Sequence, residues 1–334
     1  MANNSFDQIN EIGNTKKDNM NSISPRVAII LPCYNEEITI AKVIQDFSIA
    51  LPEAEIYVFD NNSTDRTREK ALNAGAKVSF VASQGKGWTV RSMFRDVDAD
   101  LYIMADGDDT YPADKVRELL VPVYEGKADM VVGTRLHDYH DHAFRNLHKF
   151  GNNLVLRIIN MLFGANLSDV LSGYRVFSRR FVKTMPVLSK GFEIETELTL
   201  HALENGFPIK EISIPYGKRP DGSFSKLNTF SDGLRVLKTI LWLFKDYRPL
   251  IFFSFIGGIF LFLGILFGGF VVSEYIATEK VTHPSTAVLA TALCTLGALF
   301  VTIGLILDTV NRRGREQYVL LVDHLIDAQN RKNI

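Results

Sequence analysis

The chain has 334 residues, and its 37 basic and 38 acidic side chains leave a formal net charge of −1, a balance that excludes a general nucleic-acid binder. Its two cysteines, Cys33 and Cys294, stand far apart in segments of different character, which excludes a disulfide framework and a zinc-ligand spacing. The length is ample for a large buried core.

Residues 1–24 are rich in Asn, Ser, Asp and Lys and lack the apolar run of a signal peptide, so a disordered tail is expected there. Residues 25–228 form the expected catalytic domain. Short β-branched runs such as "RVAIILPCY", "EIYVFD", "KVSFV", "DLYIMAD" and "ADMVVGT" alternate with amphipathic segments such as "EITIAKVIQDFSIAL" and "GKGWTVRSMFRDV". That alternation predicts an α/β fold on a parallel sheet covered on both faces, with ligands beyond the carboxyl ends of the strands. Those ends carry Asn35-Glu36-Glu37, Asp60-Asn61-Asn62-Ser63, Gln84-Gly85-Lys86 and Asp106-Gly107-Asp108. Singly, each also reads as a turn or helix cap. Together they converge on one site.

Residues 229–248 predict a basic amphipathic juxtamembrane helix, with Phe230, Leu234, Leu237, Leu241 and Phe244 at helical spacing. Residues 249–273 and 284–308 predict two membrane-spanning helices, since 249–273 and 284–307 hold no charged side chain. Residues 311–334 predict an amphipathic cytoplasmic tail. Lys245 and Arg248 before the first span, and Arg312, Arg313 and Arg315 after the second, place both ends in the cytoplasm by the positive-inside rule. The expectation is an integral membrane protein, of a bacterial inner membrane, with a cytoplasmic catalytic domain. Gly257, Gly258, Gly264, Gly268 and Gly269 in the first span suit close helix association, including a homo-oligomer.

Three carboxylates around one glycine, Asp106, Asp108 and Asp109, repel one another unless a cation sits among them. Hard oxygens suit Mg2+ or Mn2+, which take one or two protein carboxylates and complete their shell with phosphate oxygens and water. Asp106 and Asp108 are therefore the candidate metal ligands, and a nucleoside diphosphate is the candidate partner.

In order, "LPCYNEE", "VFDNNSTDRT", "QGKGWTVR", "DGDDTYP" and "LSGYRVFSRR" resemble the signature blocks of family 2 glycosyltransferases of the GT-A fold, in the branch of dolichyl- and polyprenyl-phosphate sugar synthases. The resemblance covers about residues 26–228. It implies a UDP- or GDP-hexose donor, a divalent metal at the D-x-D element and a polyprenyl phosphate acceptor. Pro32, Tyr34, Glu36 and Asp60 match positions that hold base and ribose, and Lys86 matches the lysine beside the nucleotide. Arg135 and Arg145 resemble arginines near the diphosphate and the acceptor phosphate; Arg175 is a further candidate phosphate contact, and Asp169 matches the aspartate of the same block. Lys218, Arg219 and Lys226 are candidate acceptor-phosphate contacts, and Glu195 a candidate donor or sugar contact.

The expected reaction is attack of a lipid phosphate oxygen on the anomeric carbon, with inversion and loss of a nucleoside diphosphate. A phosphate monoester with a second pKa of about 6 is already ionised at neutral pH, so no strong base is needed. Asp169 then either positions Arg175 or the acceptor, or acts as a base for a hydroxyl acceptor on a lipid-linked glycan or glycerolipid. A membrane scaffold that has lost catalysis is the reading from another class.

Overall fold

The computed structural model describes residues 25–135, 145–191, 193–217, 220, 242 and 245–332, with only the backbone described at 145–152, 321 and 323–332. The expected tail at 1–24, the candidates Lys218, Arg219 and Lys226, and most of the expected helix at 229–248 lie outside the described residues.

Seven strands form one sheet: β1 (Val27–Cys33), β2 (Glu55–Asp60), β3 (Lys77–Phe80), β4 (Leu101–Met104), β5 (Met130–Arg135), β6 (Arg175–Ser178) and β7 (Ile209–Ile214). Their order is β3-β2-β1-β4-β6-β5-β7. Four of the six neighbouring pairs run parallel as the alternation predicts, but β6 runs antiparallel between β4 and β5, so the sheet is mixed. Reversing β6 brings its first residue, Arg175, into register with Met104 at the carboxyl end of β4. The loop before β6 therefore lands beside the D-G-D-D turn.

Alternate strand residues point to opposite faces. Ile29, Leu31, Val58, Ile103, Val131 and Val176 pack under α1 (Ile40–Ala50), α2 (Thr67–Asn73) and α4 (Val116–Tyr124). Ala28, Ile30, Phe59, Met104, Val132 and Phe177 pack under α3 (Lys86–Asp96), α6 (Arg179–Thr184) and α7 (Ile194–Glu204). Burial on both faces is why these strands read as nearly unbroken apolar runs. A smaller cluster joins α5 (Arg145–Phe163) to α7 through Val155, Ile159 and Leu200, with Trp242 and Tyr247 against it.

Two long helices follow, α8 (Pro249–Thr278) and α9 (Pro284–Lys332). Only 11% and 17% of their most apolar windows are buried within the chain, which leaves wide apolar surfaces for lipid. The helices approach closely where a Cβ on Gly257 would stand 2.7 Å from the Gly297 carbonyl oxygen and one on Gly264 would stand 2.5 Å from Cys294 Sγ. These two glycines thus serve the pair within one chain, whereas Gly258 and Gly269 face open space. α9 runs on past the apolar stretch into the residues expected as an amphipathic tail. Its extension returns to the catalytic domain, where the Tyr318 hydroxyl meets His201 Nε2 at 3.0 Å. Burial pushes the His201 imidazole down to about 4, so it stays neutral there.

Candidate active site

The first strand-end loops are stitched to one another. Cys33 and Asp60 are paired at the ends of β1 and β2, and the Cys33 carbonyl accepts from the Asn61 amide. The Asn35 amide donates to Ser63 Oγ at 2.9 Å, and Thr64 returns a bond to Asn35 Oδ1 at 2.8 Å. Glu36 donates its amide to Thr67 Oγ1 at 2.8 Å and lies buried beside this seam. Asp60, also buried, accepts from the Ser63 amide at 3.1 Å. Pro32, Tyr34, Glu36 and Asp60 thus belong to one rim. Asn61 extends it, accepting from the Gly85 amide at 2.7 Å.

Gly85 hands the chain to Lys86, the first residue of α3. The Lys86 ammonium reaches Asp106 Oδ1 at 2.6 Å and Glu195 Oε1 at 2.5 Å. Burial by itself lowers this ammonium, but the two carboxylates outweigh it and hold it well above the usual lysine range. One cation between two carboxylates leaves the trio with a charge of about −1, and Asp108 adds another, a field suited to a divalent cation carrying a diphosphate.

The three aspartates of the turn have separate fates. Asp109 takes a left-handed φ of 60° and pairs with Lys42 at 2.7 Å. Asp108 is buried and accepts from Thr110 Oγ1 at 2.6 Å. Asp106 alone is bound to Lys86, and its side chain is 27% exposed. Thr39 Oγ1 donates to the Gly107 carbonyl at 2.7 Å and ties the turn to the start of α1. Among the described residues no cluster of three or more His, Cys, Asp or Glu is placed to hold a metal. A cation at Asp106 and Asp108 would therefore draw its remaining ligands from phosphate and water, the arrangement Mg2+ and Mn2+ favour.

The loop before β6 packs against this turn. A Cβ on Gly173 would stand 2.8 Å from Asp106 Oδ2, so any larger residue here would push the Asp106 carboxylate aside. The Gly173 amide donates to the Tyr111 hydroxyl at 2.8 Å. Farther along, Arg135 grips Asp169 with two bonds, Nε to Oδ2 at 2.7 Å and Nη2 to Oδ1 at 2.9 Å, and its guanidinium lies 5.6 Å from the Tyr216 ring centroid. Burial raises Asp169, but the Arg135 guanidinium outweighs it and holds the carboxyl below its usual range. Asp169 is therefore a paired anion at neutral pH and a weak base.

Arg175 requires a correction. It is wholly buried and does not face the site: Nε donates to the Ser172 carbonyl at 2.8 Å, Nη2 to the Val170 carbonyl at 2.8 Å and Nη1 to Thr199 Oγ1 at 2.9 Å. Burial pushes it down to about 10, still charged at neutral pH. It shapes the 170–172 loop from behind. Asp169 is likewise held by Arg135 instead of orienting Arg175. Arg145 begins α5, and its side chain is outside the described residues. Tyr111 and Gly173 carry no charge or metal-ligating group to mark them in the sequence, although both fall inside the quoted motifs. Glu211 carried no motif signal, yet its carboxylate accepts from the Ser168 and Asp169 amides at 2.9 and 3.1 Å.

Comparison with known proteins bears on the family and the fold. The family model described as Glycosyl transferase family 2 matches residues 28–185. Glycosyltransferase AglJ of Haloferax volcanii is 34% identical over 292 residues, covering 87% of this chain and 95% of that protein. The dolichyl-phosphate hexose transferase of the same organism is 30% identical over 216 residues, covering 64% of this chain and 92% of that protein. The undecaprenyl-phosphate mannosyltransferase of Micrococcus luteus is 26% identical over 233 residues, covering 65% of this chain and 93% of that protein. Glucosyl-3-phosphoglycerate synthase from Mycobacterium tuberculosis, solved with Mn2+ and uridine-diphosphate-glucose, shares the fold at a TM-score of 0.54 and 20% identity, covering 66% of this chain and 79% of that one. The family match and the relatives together make this chain a glycosyltransferase of family 2 with the GT-A fold, similar to the polyprenyl-phosphate sugar synthases.

Proposed function

We propose that the protein transfers a hexose from a nucleoside diphosphate to a polyprenyl phosphate at the cytoplasmic face of a membrane, with a divalent metal at Asp106 and Asp108. The observation that carries the acceptor assignment is the Arg135–Asp169 pair. An aspartate gripped by two guanidinium bonds and held below its usual range is poorly suited to deprotonating a hydroxyl. A phosphate acceptor, with a second pKa of about 6, needs no such base.

Each site residue then has a role. The rim of Pro32, Tyr34, Glu36 and Asp60 receives the base and ribose. A metal bound at Asp106 and Asp108 would supply positive charge at the leaving diphosphate. Lys86 adds a second, fixed positive charge there, and Glu195 holds its ammonium from the far side. Arg135 faces the transferred group or the acceptor phosphate, its orientation set by Asp169. Arg145, Lys218, Arg219 and Lys226 are the remaining proposed contacts to the acceptor phosphate.

The test offers purified protein in detergent radiolabelled UDP- and GDP-hexoses with Mn2+ and either polyprenyl phosphate or the matching polyprenol. Label extracted with the lipid only when phosphate is present supports the proposal. Label on the polyprenol would move the reading to a hydroxyl acceptor.

A further inference from the structure

The geometry points to Glu197 as a positioning residue for Lys86, acting through the loop at residues 188–190; this rests on the reading of Lys86 as the cation facing the donor diphosphate. Glu197 lies in the first turn of α7, two positions from the Lys86 partner Glu195, and is 6% exposed. Its two oxygens take separate backbone donors, Oε1 from the Leu188 amide and Oε2 from the Ser189 amide, both at 2.9 Å. This buried carboxylate is thus spent on two consecutive peptide units.

Those peptide units lie against the turn that carries Lys86. A Cβ on Gly85 would collide with the Lys190 carbonyl oxygen, and one on Gly87 with the Ser189 carbonyl oxygen. Gly85 also takes a φ of 136°, which disfavours any other residue. On the opposite side the Gly85 amide is held by Asn61. The backbone on either side of Lys86 is therefore clasped between Asn61, just past the end of β2, and the 188–190 loop, whose place is set by Glu197. Since Lys86 reaches across to Asp106 and Glu195, a shift of that loop displaces the backbone from which its ammonium is aimed.

Glu197→Gln tests the clasp, because the amide keeps the shape but turns one acceptor into a donor facing a backbone N–H. Full-length protein in detergent is titrated calorimetrically with Mn2+–UDP and with Mn2+–GDP. On the nucleotide that wild type binds, Glu197→Gln is expected to weaken affinity roughly tenfold and Lys86→Gln at least as much. The double variant should be no weaker than Lys86→Gln alone, because Glu197 acts only through that lysine. Normal binding by Glu197→Gln beside weakened binding by Lys86→Gln overturns the inference alone, as does full additivity in the double variant. Normal binding by Lys86→Gln overturns the donor reading and the inference together. If Glu197→Gln fails to fold, Gly87→Ala displaces the same loop from the other side with the carboxylate intact. It should bind nucleotide roughly tenfold more weakly, and wild-type affinity in it would refute the clasp.

Discussion

Lys86 and Glu195, 109 positions apart in the chain, meet at 2.5 Å inside the catalytic domain, with the lysine side chain 11% and the glutamate 6% exposed. Asp106 closes the trio on the more open side. The trio joins the sheet's D-G-D-D turn to α7 through the Lys86 ammonium.

Removing the lysine charge therefore strands two carboxylates. Lys86→Met is expected to cost roughly 3 kcal/mol of stability, in the range for breaking a buried ion pair, and to lower turnover by two orders of magnitude or more. Thermal melting and single-turnover transfer measure the two effects. Unchanged melting would show that the carboxylates do not depend on this cation.

Gly173→Ala places a methyl group against Asp106 Oδ2, where the ideal Cβ lies at 2.8 Å. The metal half-saturation of the reaction should rise about tenfold, a displacement worth about 1.4 kcal/mol. Manganese titration followed by electron paramagnetic resonance reads this without turnover. A wild-type binding curve would mean that Asp106 does not hold the ion.

Asp169 is held below the usual carboxylate range, so its contribution to stability is complete above its unfolded value of about 4 and fades as the pH falls through its lower folded value. Nothing in its titration falls between pH 5 and 8. An acid limb in kcat/KM near about pH 6 would thus belong to the acceptor phosphate, and it should persist in Asp169→Asn. That variant is expected to be ten- to hundredfold slower, since a charge-assisted bond worth roughly 1.5–3 kcal/mol no longer orients Arg135. Disappearance of the limb in the variant would make Asp169 a base after all.

Arg175→Met leaves the Ser172 and Val170 carbonyls without their guanidinium donors. A loss of about 3 kcal/mol is expected from the unpaired buried groups. The melting transition should fall while the acceptor KM of the folded fraction stays within about twofold. The reverse pattern would return Arg175 to the acceptor phosphate.

For topology, a cysteine at Thr278, between the two spans, should react with an impermeant thiol reagent added to intact cells, whereas tags at residues 1 and 334 should be protected. Native background is low, because Cys33 is buried in the catalytic domain and Cys294 faces Gly264 within the helix pair. Protection at Thr278 with labelled termini would put the site outside the cell and undo the cytoplasmic assignment.

The order of strands and helices through β5, the convergence of the rim loops and the two apolar spans were legible in the chain by itself, because each follows from local periodicity and from the polarity of residues next to one another. The D-x-D pair was legible for the same reason, its carboxylates being too close in sequence to ignore. The direction of β6 was not, since pairing is decided by neighbours far away in sequence. Nor was the burial of Arg175: its motif is compatible with either side of the loop, and only the reversed strand turns the guanidinium inward toward Thr199 on α7. The partition of Asp106, Asp108 and Asp109 among Lys86, Thr110 and Lys42 also needed the fold. Sequence spacing specifies which groups can meet within one turn, and only tertiary packing decides which charge finds its partner 109 residues away.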